Sequence, residues 1–254
     1  MHAIILSAGR GSRLLPLTTD LPKCLLPVGL SSVLNLQLDT LFRHDIKTAT
    51  VVTGFNAHLV KEEIQARQTG PKVKTLYNPF FKVADNLASC WMARKAMKQD
   101  FLLINGDTLF SPPLLEKVLK APAKDITVTI DQKGHYDGDD MKVSLEGTHL
   151  TAIGKTLLPQ QTDGESIGML RFMNDGPKIF RNELERLMRL EEGTKSWFLS
   201  AILVWRSPDS ALIRQISRGQ LGQSLIRQKI MKFAANYSEI VKWPAKGSRL
   251  SNII

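Results

Sequence analysis

One glycine-rich segment near the start of this 254-residue chain places groups that could bind phosphate directly after an apolar run. Residues 3–6 are strand-like, Gly9 and Gly11 follow them, and Arg13 and Lys23 lie downstream. Glycines allow the backbone to bend tightly and to present its N–H groups to an anion. The two basic side chains add fixed positive charge. This combination suits the phosphates of a nucleoside triphosphate.

The spacing of the segment excludes two familiar phosphate loops. A dinucleotide-binding fingerprint needs a glycine three residues after its second glycine, and Leu14 stands there. A Walker A loop needs Ser or Thr directly after its lysine, but Lys23 is followed by Cys24. The segment is therefore a phosphate loop of another kind.

A second segment, Asn105-Gly106-Asp107, follows the apolar run at residues 101–104. Magnesium takes oxygen ligands and bridges phosphate oxygens, so a carboxylate at a strand end beside a phosphate loop can hold it. We therefore predict a Mg²⁺ cofactor with Asp107 as its ligand. Taken alone, Asn-Gly-Asp would indicate only a turn, and the upstream glycine segment is what favours the metal site.

The run from Leu6 to Lys23, LSAGRGSRLLPLTTDLPK, resembles the signature LAAGxGxRLxPLTxxxPK of the nucleotidyltransferase family that makes nucleoside-diphosphate sugars and related activated head groups. Ser7 is the one departure, since the family usually has Ala there. The resemblance implies a Mg²⁺-dependent enzyme in which an acceptor phosphate attacks the α-phosphorus of a nucleoside triphosphate and pyrophosphate leaves. It covers roughly residues 1–202, which we assign as the nucleotidyltransferase domain, followed by a divergent basic tail at 203–254.

The resemblance and the charges together suggest roles for single residues. Arg13 and Lys23 are the expected catalytic cations, acting on the leaving phosphates and beside the α-phosphate. Lys155 resembles the lysine that binds the acceptor phosphate, although Gly154 and Thr156 depart from the family's Glu-Lys-Pro element. The remaining expected site residues are Glu165 on the acceptor, and Leu6, Ala8, Gly9, Gly11, Ser12, Asn86 and Ser89 on the nucleotide.

The segment at residues 78–89 bears on which acceptor is used. It lacks the Gly-Thr-Ala element of sugar-phosphate members and resembles the phosphocholine cytidylyltransferase branch, which charges amino-alcohol phosphates or phosphonates with CTP. Asn86 and Ser89 would open a helix there and could bind the nucleotide, although Asn86 could also be only an N-cap. We therefore expect transfer of CMP to an acceptor such as phosphocholine or an aminoalkyl phosphonate. A sugar-1-phosphate nucleotidyltransferase is the alternative.

An ammonium head group on the acceptor would need a carboxylate or an aromatic face. Asp139, Asp140 and Glu165 are candidate carboxylates, although they could equally be solvated loop charges. A quaternary amine prefers an aromatic face backed by an acid. The candidate rings, among which the sequence does not choose, are those of Tyr136, Trp91 and Trp197.

Strand and helix patterns alternate along the first part of the chain, which predicts an α/β fold with a Rossmann-like, mixed but mainly parallel sheet flanked by helices. The family resemblance makes this the nucleotide-diphospho-sugar transferase fold, with shorter strands forming a small acceptor-side lobe. Because open parallel sheets bind ligands at the carboxyl ends of their strands, the loops after Leu6, Tyr77 and Asn105 should meet at one cleft. Strands are predicted at 3–6, 50–53, 73–77, 101–105, 126–131, 141–145, 150–153 and 167–172, and helices at 32–43, 57–67, 87–98, 113–119 and 177–190.

Hydropathy, cysteine content and charge bear on where the protein is located and on which partners it binds. No apolar run reaches the about 18 residues of a membrane span, so we expect a cytoplasmic protein. The resemblance implies small-molecule substrates, a nucleoside triphosphate and a phosphorylated acceptor. Cys24 and Cys90 form no metal or disulfide pattern and are expected to be buried. The net charge is +10, and residues 201–254 hold nine basic but only two acidic residues.

The basic tail supports a second hypothesis. The family usually has an aspartate near the end of the domain as a second metal ligand, and Val241 stands where it would be expected. The chain could then be a catalytically impaired nucleotide-binding protein whose tail recruits an anionic partner such as RNA or a membrane surface. The tail contains no recognisable nucleic-acid motif, and a charge run is usually a solvated face, so we favour the enzyme.

Overall fold

The computed structural model describes residues 1–147, 149–191, 193–195, 197–203, 211–215 and 222–224. Its strands are β1 (His2–Ser7), β2 (Pro27–Val28), β3 (Ser31–Ser32), β4 (Thr48–Thr53), β5 (Lys72–Tyr77), β6 (Phe101–Asn105), β7 (Thr108–Phe110), β8 (Ile126–Asp131), β9 (Lys142–Glu146), β10 (His149–Gly154), β11 (Gly164–Phe172), β12 (Ala211–Gln215) and β13 (Gly222–Ser224). Its α-helices are α1 (Val33–Arg43), α2 (Ala57–Gln65), α3 (Asn86–Ala93), α4 (Pro112–Lys120), α5 (Gly176–Met188) and α6 (Ser200–Leu203).

A nine-stranded sheet organises these elements, in the order β10-β9-β11-β6-β1-β4-β5, with β8 paired to β11 and β12. Strand β1 runs parallel to β4 and β6, and β4 runs parallel to β5. Strand β11 is antiparallel to β6, β8 and β9. The predicted α/β class with a mixed, mainly parallel sheet is therefore confirmed. The strands expected on the acceptor side, β9 to β11, continue this same sheet on its antiparallel side.

Helices cover both faces of the sheet, which explains why its central strands are continuous apolar runs. On one face, α1 and α4 pack against β1 and β6 through Leu38 and Leu115, neither of which is accessible to solvent. On the other face, α3 and α5 pack through Leu87 and Leu184. Both cysteines are buried, as expected, Cys24 on the first face and Cys90 on the second.

The starts of two helices differ by one residue from those that the apolar pattern predicts. Helix α1 begins at Val33 because the Ser32 hydroxyl caps it, accepting the Asn35 N–H at 3.2 Å. Helix α3 begins at Asn86, with Asp85 in the N-cap position, and gives way to a 3₁₀ turn at Arg94–Ala96. Among the described residues, no helix is long and apolar enough to cross a membrane.

Two described segments of the tail pair with strands of the domain. Strand β12 lies parallel to β8 in the nine-stranded sheet, and β13 pairs with β7 in a separate two-stranded ladder. Val241, which stands at the expected place of a second metal ligand, lies outside the described residues.

Candidate active site

A cleft of about 230 Å³ lies where the loops that follow β1, β5 and β6 meet. Gly11, Arg13 and Lys23 line it from the first loop, and Asp85 and Asn86 from the second. The β6 loop contributes Asn105 and Asp107. The predicted meeting of these three loops at one cleft is therefore confirmed.

The first loop owes its shape to Gly11. This residue has a φ of +72°, a left-handed conformation that favours glycine, and its carbonyl accepts a hydrogen bond from the buried Thr18 hydroxyl at 2.8 Å. A Cβ at Gly11 would lie 3.1 Å from the Cβ of Lys23, so the lysine stem rests against the glycine. Gly9 is exposed, and the carbonyl of Ala8 accepts the N–H of Phe55 at 2.9 Å. Hydrogen bonds from Thr18 and Phe55 thus hold the backbone of the loop, while Gly9 is exposed to solvent.

The first and third loops approach closely at Gly106. Its N–H donates to the carbonyl of Leu6 at 2.9 Å, and a Cβ there would overlap the Ser7 hydroxyl and lie 2.7 Å from the Leu6 carbonyl oxygen. This close approach allows the Lys23 ammonium to form an ion pair with the Asp107 carboxylate. Both side chains are less than one-fifth exposed, and both line the cleft.

The chemistry of this pair is compatible with Mg²⁺, which commonly takes one or two protein carboxylates and completes its coordination with substrate phosphates and water. Asp107 supplies one such carboxylate at the cleft. Among the described residues there is no group of three or more His, Cys, Asp and Glu side chains that could hold a metal alone. A metal here would therefore depend on phosphate oxygens as well as on Asp107.

Asp139, which also lines the cleft, bridges two basic side chains. Its Oδ1 lies 2.8 Å from Arg13 Nη1 and 3.5 Å from Lys155 Nζ. The hydrogen bond from Arg13 is the main reason why the pKa of Asp139 is lowered. Lys155 Nζ also lies 5.1 Å from the centre of the Trp197 ring, whose side chain hydrogen-bonds to Asp85.

A buried triad of Lys133, Asp140 and Glu165 contributes its two acidic members to the lining of the cleft. Lys133 Nζ lies 2.5 Å from Asp140 Oδ2 and 2.9 Å from Glu165 Oε1, and both acidic residues are less than one-tenth exposed. Burial, followed by the hydrogen bond with Asp140, raises the pKa of Glu165 to about 7. Burial acts in the same direction on Asp140, but hydrogen bonds with Glu165 and Lys133 outweigh it and lower the pKa of Asp140.

Of the two site residues predicted at the start of helix α3, Asn86 and Ser89, one lines the cleft and the other is buried. Asn86 lines the cleft, and its Oδ1 accepts the N–H of Phe198 at 2.9 Å. Its interpretation as an N-cap is wrong, because Asp85 holds that position. Ser89 is buried, and its Oγ accepts a hydrogen bond from Asn78 Nδ2 at 3.0 Å. Ser89 therefore anchors the preceding loop from inside and does not line the cleft.

The chain matches the family model described as nucleotidyl transferase over residues 2–138. This chain belongs to the nucleotidyl transferase family. The match includes the glycine loop, Lys23, Asp107 and the segment at residues 78–89, and it ends just before Asp139.

Two curated relatives of the chain have CMP or CTP in their names. The CMP-5'-(3-aminopropyl)phosphonate synthase of Streptomyces rubellomurinus is 33% identical over 48% of this chain and 19% of its own length. The CTP:phosphoglutamine cytidylyltransferase of Campylobacter jejuni is 29% identical over 52% of this chain and 53% of its own. The chain thus spans about half, or less, of these curated relatives.

The fold is also that of a solved structure, a putative glucose-1-phosphate thymidylyltransferase from Bacillus anthracis. The two chains share 16% identity with a TM-score of 0.75, covering 96% of this chain and 97% of the other. At this identity the likeness shows the nucleotide-diphospho-sugar transferase fold alone.

The sequence did not predict three features of this cleft: the pairing of Lys133 with Asp140 and Glu165, the bridging position of Asp139, and the presence of Asp85 in the lining. Lys133 belongs to no recognised motif, and only strand pairing brings it to Glu165. Of the three candidate aromatic rings, Trp197 lines the cleft, whereas Trp91 stacks on Arg94 with the guanidinium carbon 3.7 Å from the ring centre. The hydroxyl of Tyr136 accepts the N–H of Lys133 at 3.3 Å.

Proposed function

We propose that this protein is a Mg²⁺-dependent cytidylyltransferase that transfers CMP from CTP to a small phosphorylated acceptor bearing an amine, and releases pyrophosphate. Phosphocholine and aminoalkyl phosphonates represent this acceptor class. The proposal depends on the charge pattern of the cleft, on its glycine loop and on the chemistry named for the relatives.

The charge pattern is the observation that carries the acceptor class. The described lining residues include five carboxylates, those of Asp85, Asp107, Asp139, Asp140 and Glu165, against three basic side chains. Lys133, which is not among these lining residues, pairs with two of the five, so one carboxylate remains in excess of the four basic groups. Two fully anionic substrates would meet unfavourable charge in such a cleft. A metal ion and an ammonium on the acceptor would supply the missing positive charge. An acceptor with both an ammonium and a phosphate fits this cleft better than a sugar phosphate does.

In the proposed reaction an oxygen of the acceptor phosphate attacks the α-phosphorus of CTP in line. A new P–O bond forms, the bond between the α-phosphorus and the bridging oxygen breaks, and pyrophosphate leaves with that electron pair. No covalent enzyme intermediate is needed, so positioning and charge stabilisation supply the catalysis.

The chain's own residues would divide this work among the loops. The N–H groups of the glycine loop and Arg13 would bind the β- and γ-phosphates, while Lys23 stabilises charge near the α-phosphate. Lys155 would orient the acceptor phosphate, and Asn86 would contact the nucleotide. Mg²⁺, held by Asp107 and phosphate oxygens, would neutralise the triphosphate when bound.

The two curated relatives support this choice because their names specify CMP or CTP together with an amine-bearing phosphonate or phosphoglutamine. The segment at residues 78–89 supports it independently, since it lacks the Gly-Thr-Ala of sugar-phosphate members.

The test is a pyrophosphate-release assay of the purified chain with four nucleoside triphosphates, crossed with phosphocholine, aminopropylphosphonate and a hexose 1-phosphate. We expect the fastest release with CTP and one of the two amine-bearing acceptors. A clear preference for the hexose 1-phosphate would refute the acceptor class. No release above the triphosphate-only control with any pair would refute the enzymatic function.

A further inference from the structure

All three basic side chains among the described lining residues of the cleft are already paired with a carboxylate. Lys23 is paired with Asp107, while Arg13 and Lys155 share Asp139. Under the proposed function, these are the side chains that bind phosphates. Substrate phosphates must therefore exchange with carboxylates of the protein when they bind.

Asp139 has the position that a phosphate of the acceptor would need. Its Oδ1 forms ion pairs with Arg13 of the glycine loop and with Lys155, which follows β10. These two basic residues line the cleft but are far apart in the sequence. Arginine and lysine bind carboxylate and phosphate oxygens through the same charge-assisted hydrogen bonds. The carboxylate thus marks a point at which cations from the donor and the acceptor sides converge on one anion.

The contacts of Asp139 are weak enough to exchange. The side chains of Arg13 and Asp139 are 59% and 45% exposed, and exposed ion pairs contribute little to stability. Asp140 and Glu165 differ, because they are buried and hold Lys133 between them. Of the acceptor-side carboxylates described here, Asp139 is therefore the one that can change partners without opening the fold.

We propose that Asp139 is a specificity-determining residue for the acceptor. In the substrate-free protein its carboxylate occupies the place of the acceptor's phosphoryl group. When that phosphoryl group binds, it displaces the carboxylate, which then pairs with the acceptor's ammonium. This inference depends on the proposed function, whose acceptor carries both groups.

The exchange conserves charge pairing only for an acceptor with both charges. In the absence of the triphosphate, a zwitterionic acceptor gives its phosphate to Lys155 and Arg13 and its ammonium to Asp139, so every charge keeps a partner. When CTP binds, Arg13 turns to its phosphates and Lys155 keeps the acceptor phosphate. An acceptor without the amine takes the two basic groups and leaves Asp139 without a cation. The protein thereby selects for an acceptor with an amine, because the phosphate of any acceptor must displace the Asp139 carboxylate and only an amine can then pair with it.

The test compares aminopropylphosphonate with propylphosphonate, which differ only in the amine, by isothermal titration at low ionic strength. The variant is Asp139→Asn, which keeps the shape of the side chain and removes its charge. The matched control is Asp137→Asn, because Asp137 is an exposed aspartate of the same loop whose side chain does not line the cleft. The residue's backbone N–H bond to Asp140 is unaffected by the substitution.

Wild-type protein should bind aminopropylphosphonate more tightly than propylphosphonate. Asp139→Asn should bind propylphosphonate about two- to fivefold more tightly than wild type, the range of an exposed ion pair, and should lose most of the preference for the amine. Asp137→Asn should match wild type with both ligands. Unchanged or weaker binding of propylphosphonate by Asp139→Asn would overturn the proposal, as would an undiminished preference for the amine.

The two proposals can fail separately. If pyrophosphate release with CTP is observed and Asp139→Asn behaves like Asp137→Asn, the proposed function stands and Asp139 has no role in selection. If no acceptor supports release, the proposed function falls, and the titrations still report whether Asp139 competes with a phosphonate.

Discussion

Replacing Lys23 with methionine tests the proposed catalytic cation most directly. The lysine stem lies against Gly11, and a methionine side chain keeps most of that packing while removing the ammonium. The change therefore separates the charge that faces the cleft from the packing that shapes the glycine loop. It also removes the ion pair with Asp107.

The expected losses in rate and in stability differ greatly in size. Removing one preorganised electrostatic donor from a site costs on the order of 10² to 10³ in kcat, or about 2.7–4 kcal/mol in the transition state. The lost hydrogen bond between charged groups costs about 1.5–3 kcal/mol of folding free energy. For a domain of this size that corresponds to a decrease in Tm of roughly 3–12 °C, so the variant should remain folded at assay temperature.

The assay measures pyrophosphate release at saturating CTP and acceptor, together with Tm for each protein. Lys120→Met is the matched control, because Lys120 is also paired with a carboxylate, that of Glu116, but lies exposed on α4 away from the cleft. The control should keep the wild-type rate. A Lys23→Met rate within about threefold of wild type would refute the assigned role, because loss of one transition-state donor is expected to cost far more.

Three further changes test the metal, the buried triad and the close approach of the loops. Asp107→Asn should lower turnover and raise the Mg²⁺ concentration needed for half-maximal rate, and an unchanged metal titration would exclude it as a ligand. The pKa of Glu165 is raised from 4.5 to about 7, so the folded protein binds this proton more tightly and loses stability as pH rises through that interval. As the pH rises from 4.5 to about 7, the Tm of Glu165→Gln should therefore increase relative to the Tm of wild type. A difference between the two Tm values that does not change with pH would contradict this. Gly106→Ala should destabilise the fold by about 1–3 kcal/mol because its Cβ would press on the Leu6 carbonyl, whereas Gly9→Ala, with nothing within 4 Å of its Cβ, should leave Tm unchanged.

Short stretches of sequence were enough to predict the longer strands and helices of residues 1–190 in their order, but not the strands β2, β3, β7, β12 and β13 or the helix α6. Each central strand is an apolar run that is buried on both faces, and each flanking helix carries one apolar stripe, so neighbouring residues suffice to identify them. The glycine loop was predictable for the same reason, since Gly11 and Lys23 lie within one connection. The meeting of the loops after β1, β5 and β6 followed from the rule that parallel strands present their carboxyl ends at one edge.

Residues on separate loops could not be paired in this way. Ser89 shares the helix start with Asn86, yet it is buried, and its hydroxyl accepts a hydrogen bond from the buried Asn78. Lys133 joins Glu165 only because β8 and β11 are antiparallel neighbours in the sheet. Neither pairing leaves a pattern in the spacing of residues along the chain.

The sequence by itself thus determined the α/β class, the glycine loop and the position of Asp107 beside it, because each depends on residues adjacent in the chain or on the common direction of parallel strands. The tertiary structure alone decided which carboxylate faces which cation. Arg13, Asp139 and Lys155 come from three separate connections, and their contact depends on the order of strands across the sheet. Apolar strand patterns do not encode that order, since any two such strands can pair through the same backbone hydrogen bonds.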